Sequence, residues 1–151
     1  MQRGDQRQES IQRGNQRFVI MMAIARVPEG SFRKNMFKAK RKSLQEIWQG
    51  AMLPFSDIIR FAPSACNTQP WFVEHAEDRL RVFRYRKPGK RGIMPANKVT
   101  YYNRIDIGIF LFFLEVCLTN DGYGFESIQI PENEPDHVEK VLVAEYRICK
   151  G

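Results

Sequence analysis

The chain has 151 residues, 43% of them hydrophobic and 11 of them phenylalanine, and a formal net charge of +7. That length suits one domain with a real core, and that apolar content excludes disorder for most of it. The charge sits at one end: residues 1–42 carry 11 Lys/Arg against 3 acids and residues 43–151 carry 13 against 14, which gives no support to nucleic-acid binding by the domain as a whole.

The three cysteines, Cys66, Cys117 and Cys149, are odd in number and far apart, so neither a disulfide framework nor a zinc site follows from them. They read as reduced thiols of a cytoplasmic protein. The longest apolar runs, Phe18 to Ala25 and Ile107 to Leu114, are eight residues each, far below the ~20 that span a bilayer. Neither a membrane segment nor a signal peptide is expected. His75 and His137 are the only histidines, and both fall near expected turns. A nucleophile–histidine relay therefore has little support, and no metal site is expected.

In chain order, residues 1–17 are polar, with Gln2-Arg3-Gly4-Asp5-Gln6-Arg7 returning as Gln12-Arg13-Gly14-Asn15-Gln16-Arg17. After Met1 the segment has one large apolar side chain, Ile11, and is expected to be a disordered tail ahead of a domain over 18–151. Phe18 to Ala25 reads as a buried strand closed by Pro28-Glu29-Gly30. Arg33 to Lys42 is a dense basic stretch, either an anion-binding patch or an ordinary solvated connection. The solvated connection is the commoner outcome for such a run.

Ser43-Leu44-Gln45-Glu46 is a capping box opening a helix that carries Leu44, Ile47 and Trp48. A second short helix, about Pro54 to Ala62, places Phe55, Ile58, Ile59 and Ala62 on one core-facing side. Pro63 ends it. The next residues, Ser64, Ala65 and Cys66, are small enough for a flat group to approach the backbone. Asn67 and Gln69 offer the paired donors and acceptors that read an amide or imide edge. Pro70 extends Gln69 and launches a strand with Trp71.

Trp71 to His75 and Arg79 to Arg86 form an expected β-hairpin around Ala76-Glu77-Asp78. Both faces of the second strand are mixed, which suits a place near a sheet edge. Lys87 to Lys98 reads as a surface loop whose spacing matches no phosphate-binding motif. A strongly apolar helix follows, starting at Asn103 or Asp106 and ending about Thr119, and is expected to be the central buried helix. Asp106 in its first turn would favour the helix dipole and pair with Arg104. Gly124 to Ile130 and Glu139 to Ile148 are two closing strands, with a Pro-rich acidic turn between them.

Pro63-Ser64-Ala65-Cys66-Asn67-Thr68-Gln69-Pro70-Trp71 resembles the Pro-Ser-small-x-Asn-x-Gln-Pro-Trp signature of the FMN-dependent nitroreductase superfamily. Arg104-Ile105-Asp106-Ile107-Gly108-Ile109 is similar to the block that opens a buried helix in its thermophile-type branch. The resemblance covers about 20–148 and corresponds to the C-terminal half of those proteins. Their first half carries an Arg-rich segment expected to hold the FMN phosphate. None stands here in the corresponding place, so the chain reads as N-terminally truncated. The resemblance implies an α+β, nitroreductase-like half-domain with a buried central helix and antiparallel strands.

It also implies FMN as cofactor, NAD(P)H as hydride donor and a small electron-poor acceptor, either a nitro compound or a quinone. Under it Ser64, Ala65 and Asn67 line the isoalloxazine or its ribityl chain, with Gln69 as a second amide. Pro63 and Pro70 shape the loop. No catalytic acid or base is assigned, because the cofactor carries the hydride chemistry. The pocket would be completed by a homodimer partner or by the missing N-terminal half. A different reading is a non-catalytic remnant or interaction module with a basic N-terminal segment.

Overall fold

In the computed structural model the described residues are Arg26, Pro28, Gly30, 35–87, Gly89, 92–131 and 138–151. The chain divides into two units, Met1–Lys34 and Asn35–Gly151, and the fold below is that of the second. The expected polar tail and the Phe18–Ala25 strand lie outside the described residues, as do the acidic turn over 132–137 and His137.

The capping box forms: the Glu46 carboxylate accepts from the Ser43 N–H at 2.7 Å and from its hydroxyl at 2.9 Å. The helix it opens, α1 (Leu44–Ile47), lasts one turn. Trp48 was expected on that helix but begins strand β1 (Trp48–Gly50) instead. Its indole N–H is tied forward to the Ala51 carbonyl at 3.0 Å. Helix α2 (Ser56–Ile59) is likewise shorter than expected, and it buries Phe55, Ile59 and Ala62 while Ile58 stays 43% exposed.

Strands β2 (Trp71–Ala76) and β3 (Arg79–Tyr85) form the expected hairpin, turned by Glu77-Asp78 with Glu77 left-handed at φ 55°. The long helix α3 (Val99–Asn120) follows, then β4 (Tyr123–Gln129) and β5 (Lys140–Lys150). The sheet order is β1-β2-β3-β5-β4. All neighbours are antiparallel except β1 and β2, which are parallel, so the α+β class stands with a mixed sheet.

β3 is thus the middle strand, not a near-edge one. Its core face buries Leu80, Val82 and Arg84. Its outer face is covered by a lysine: the Lys140 ammonium lies 4.2 Å from the Phe72 ring centre and 4.6 Å from that of Phe83, and pairs with Glu74 at 2.7 Å. A cation over rings shields apolar surface while keeping its charge solvated or paired. The sequence pattern therefore looks half-polar on a central strand. A bulge at Val82/Phe83 accounts for the switch in β5, where Val141 shares the face of Arg84 but Ala144, Tyr146 and Ile148 follow on even numbers.

α3 starts at Val99, ahead of the expected residue, because the turn Ala96–Lys98 already winds the chain into it. Its buried side, Ile107, Phe110, Leu114 and Leu118, packs on Trp71, Val73, Leu80 and Val82 in one core. Trp71 and Phe110 stack with centroids 4.7 Å apart. Tyr101, Phe112 and Val116 lie on the other side, where they are exposed. No helix among the described residues is long and apolar enough to cross a membrane.

Candidate functional site

The loop from Ala62 to Pro70 leaves α2 and enters β2, so both of its ends are fixed in the core. Between them the backbone makes one tight 3-10 turn, Ala65–Asn67. Cys66, Asn67 and Gln69 all take left-handed conformations, with φ of 50°, 57° and 47°. Each such residue without glycine's freedom costs on the order of 1 kcal/mol, so other contacts must offset the conformation.

One set of contacts comes from α3. Asp106 Oδ1 accepts the Ala65 N–H at 2.8 Å, and Asp106 Oδ2 lies 3.2 Å from the Thr68 hydroxyl, which also faces Asn103 Oδ1 at 3.1 Å. Thr68, Asn103 and Asp106 are all buried. Asp106 is not in the first turn, as its sequence position suggested; it lies two turns into α3 and pins the loop. Burial pushes its carboxyl above the ordinary carboxylate range, and the Ala65 and Thr68 bonds oppose that shift.

A single hydroxyl proton cannot serve two acceptors. Thr68 therefore donates to either the Asp106 carboxylate or the Asn103 amide oxygen at any one time. The raised pKa means that the folded state binds the proton more tightly than the unfolded chain. Its stabilisation is full at low pH and is lost as pH rises from about 4 through the elevated value. Asp106→Asn is expected to remove that part of the slope when melting temperature is followed from pH 4 to 7. An unchanged slope would show that Asp106 does not titrate differently on folding.

The second set of contacts joins the loop to residues 40–42. Gln69 Oε1 accepts the Lys42 N–H at 2.8 Å, and the Gln69 carbonyl accepts from the Lys42 ammonium at 2.9 Å. Asn67 Oδ1 accepts from Arg41 Nη1 at 2.6 Å, and Asn67 Nδ2 donates to the Lys40 carbonyl at 3.0 Å. Gln69 Nε2 donates back to Asn67 Oδ1 at 3.1 Å, and the Gln69 N–H donates to Ser64 Oγ at 3.0 Å. The amide edge that Asn67 and Gln69 read in this conformation is thus the chain's own backbone at 40–42.

A cleft of about 470 Å³ opens there, lined by Lys40, Arg41, Lys42, Glu46, Asn67, Thr68, Gln69 and Gly89. A second of about 440 Å³ adjoins it through Lys42, Glu46 and Gly89, with Phe72 and Tyr85 in its wall. Of the predicted site residues, Asn67 and Gln69 line the first cleft. Pro63 is exposed, Ser64 and Ala65 are half-buried, and Pro70 is buried at the start of β2. The basic run, expected to be a solvated connection more than an anion-binding patch, contributes three cations to the wall. Asp106 and Asn103 were missed as loop supports, though the Arg-Ile-Asp-Ile-Gly-Ile block was the available signal.

Other candidates recede. Both nitrogens of His75 face backbone carbonyls, of Ala51 at 2.6 Å and Glu77 at 3.1 Å. No cluster suited to a metal occurs among the described residues.

A family model described as "Putative TM nitroreductase" matches residues 2–117, about three quarters of the chain, including the loop and most of α3. The chain belongs to this nitroreductase family. Membership supports an oxidoreductase-type function, and such families generally bind flavin. The match begins and ends ahead of the 20–148 span suggested by the two sequence blocks. Searches of curated proteins and of solved structures return no match.

Proposed function

We propose that the protein is an FMN-dependent oxidoreductase of nitroreductase type, taking reducing equivalents from NAD(P)H and passing them to a small electron-poor acceptor such as a nitro compound or a quinone. The observation that carries this reading is the family's signature loop, held in a strained form against a basic cleft on a chain that belongs to the family. The cleft fits the polar end of such a cofactor in size and in donor chemistry: its volume is within the range of small-molecule sites, and its wall offers amide, ammonium and guanidinium groups.

Pro63, Ser64, Ala65, Asn67, Gln69 and Pro70 are the residues proposed to hold it. Asn67 and Gln69 orient the loop edge, Ser64 braces the Gln69 backbone, and the two prolines limit the loop's alternatives. A bound FMN supplies the hydride-accepting and hydride-donating chemistry. The unpaired cysteines favour a reducing compartment, the cytoplasm.

The test is the visible spectrum of the purified protein after incubation with FMN and desalting. A retained flavin spectrum is expected, and a folded, colourless protein would reject the reading. Asn67→Ala is expected to weaken FMN binding about tenfold, the scale of one lost polar contact. An unchanged titration would remove Asn67 from the site.

A further inference from the structure

We propose that the outer edge of β4 is a pairing surface for a second copy of this chain, the two β4 strands meeting antiparallel about a two-fold axis at Ser127. Pairing there leaves the 62–70 loop untouched, because β3 and β5 stand between β4 and β2.

The two ends of the sheet differ. β1 closes one end and is three residues long, too short to template another strand. β4 closes the other end with seven residues and pairs with β5 along its whole length without a register shift. Among the described residues no further strand lies on its outer side. Natural edges of that length are commonly blunted by lysine, proline or a bulge. β4 has none of the three, and its one charge is Glu126. Glu126, Ser127, Ile128 and Gln129 are all exposed, Ile128 at 68%.

The phase of the ladder fixes what this edge offers. The Ile130 N–H donates to the Val143 carbonyl at 2.9 Å and the Gly151 N–H donates to the Gly122 carbonyl at 3.2 Å, so the even-numbered residues of β4 bond toward β5. In an antiparallel ladder the alternate residues point the other way. The backbone groups of Tyr123, Phe125, Ser127 and Gln129 therefore point at the open edge.

A two-fold axis allows few registers. Opposed side chains must lie on the same face of the sheet, so the axis passes through a residue. At Glu126 it sets two carboxylates directly opposite each other, which is unfavourable. At Phe125 the second copy's Ile128 and Gln129 run alongside Gly122 and Asp121, where the chain turns out of α3, and Ile128 stays uncovered. At Ser127 the pairing stays on extended residues: Ser127 meets its counterpart, Phe125 meets Gln129 and Glu126 meets Ile128. That register forms about six backbone hydrogen bonds, lets the two serine hydroxyls bond each other, and covers Ile128 with the methylenes of Glu126.

A single strand pair is a small interface, so the dimer is expected in the micromolar range. Sedimentation velocity on the full chain tests it, and the parent is expected to pass from monomer to dimer as its concentration crosses that range. Ser127→Pro removes an edge N–H that the β4–β5 ladder does not use, and is expected to stay monomeric throughout. Two charge variants read the register even where the proline variant fails to fold. Ile128→Lys places an ammonium opposite Glu126 of the other copy and is expected to tighten the dimer about fivefold. Ile128→Glu places a carboxylate there and is expected to loosen it by about as much. A parent that stays monomeric overturns the proposal, and so do charge variants that shift the equilibrium alike. A dimer unchanged in every variant would form through another face, such as the exposed Phe112 and Val116 side of α3, and would also overturn it.

Discussion

Asp106→Ala is expected to destabilise the protein by about 2 kcal/mol and to abolish tight flavin binding. The substitution leaves the Ala65 N–H without the acceptor it faces at 2.8 Å, while the Thr68 hydroxyl loses Asp106 at 3.2 Å and keeps Asn103 Oδ1 at 3.1 Å. A donor left unsatisfied costs roughly 1–3 kcal/mol, and the Ala65 N–H is exposed to that penalty. Part of the loss is returned, because the buried carboxyl that the variant removes is itself disfavoured by desolvation. For a unit of this size, about 2 kcal/mol corresponds to a fall of about 8 °C in melting temperature.

The effect on the site should exceed the effect on the fold. Three left-handed residues follow Ala65 within four positions, and Asp106 is the α3 group that pins both Ala65 and Thr68. Without it the loop is free to relax toward ordinary backbone conformations, and Asn67 and Gln69 leave the cleft edge. Asp106→Asn keeps an acceptor for the Ala65 N–H and is expected to retain most of the stability. Calorimetry on both variants decides the matter. A melting temperature for Asp106→Ala within about 2 °C of the parent would mean that the loop does not depend on α3.

What could be read from the sequence divides along physical lines. The loop, the capping box, the hairpin and the long apolar helix all rest on local rules, and each stands within a few residues of its expected place. Two features of the sheet were hidden. Leu44, Ile47 and Trp48 are spaced as one helical face, so the strand that starts at Trp48 looks like the helix continuing; only its pairing with Val73 shows otherwise. The central position of β3 was masked because Lys140, far along the chain, covers its outer aromatic face.

The site divides in the same way. Asn67 and Gln69 announce themselves by residue type. Their support does not: Asp106 is 41 residues from Ala65, and Lys42 is 27 from Gln69. A charge run such as 33–42 has no local mark that separates a ligand wall from a solvated face. Only the fold brings Lys40, Arg41 and Lys42 to the same opening as the loop.

Gly50→Ala is the second large effect, and it tests the least expected element of the fold. Gly50 sits opposite His75 in the parallel pairing of β1 with β2, with φ at +96°. A Cβ there would stand 1.9 Å from the His75 carbonyl oxygen, a backbone atom that cannot turn away as a side chain would. The left-handed φ adds a cost of its own, on the order of 1–2 kcal/mol. Relief requires β1 to leave the sheet, taking the 3%-exposed Trp48 side chain out of the core. Losing that burial and its pairing places the expected destabilisation above about 4 kcal/mol, at the severe end for a single substitution. The two tryptophans make the readout specific, since Trp71 is held by α3 and β2 while Trp48 depends on β1. Partial red-shift of the fluorescence before global unfolding is the expected signature, with α1 and the Glu46 side of the cleft loosened together. A variant that melts with the parent and keeps its emission maximum would show that β1 does not pair with β2 in solution.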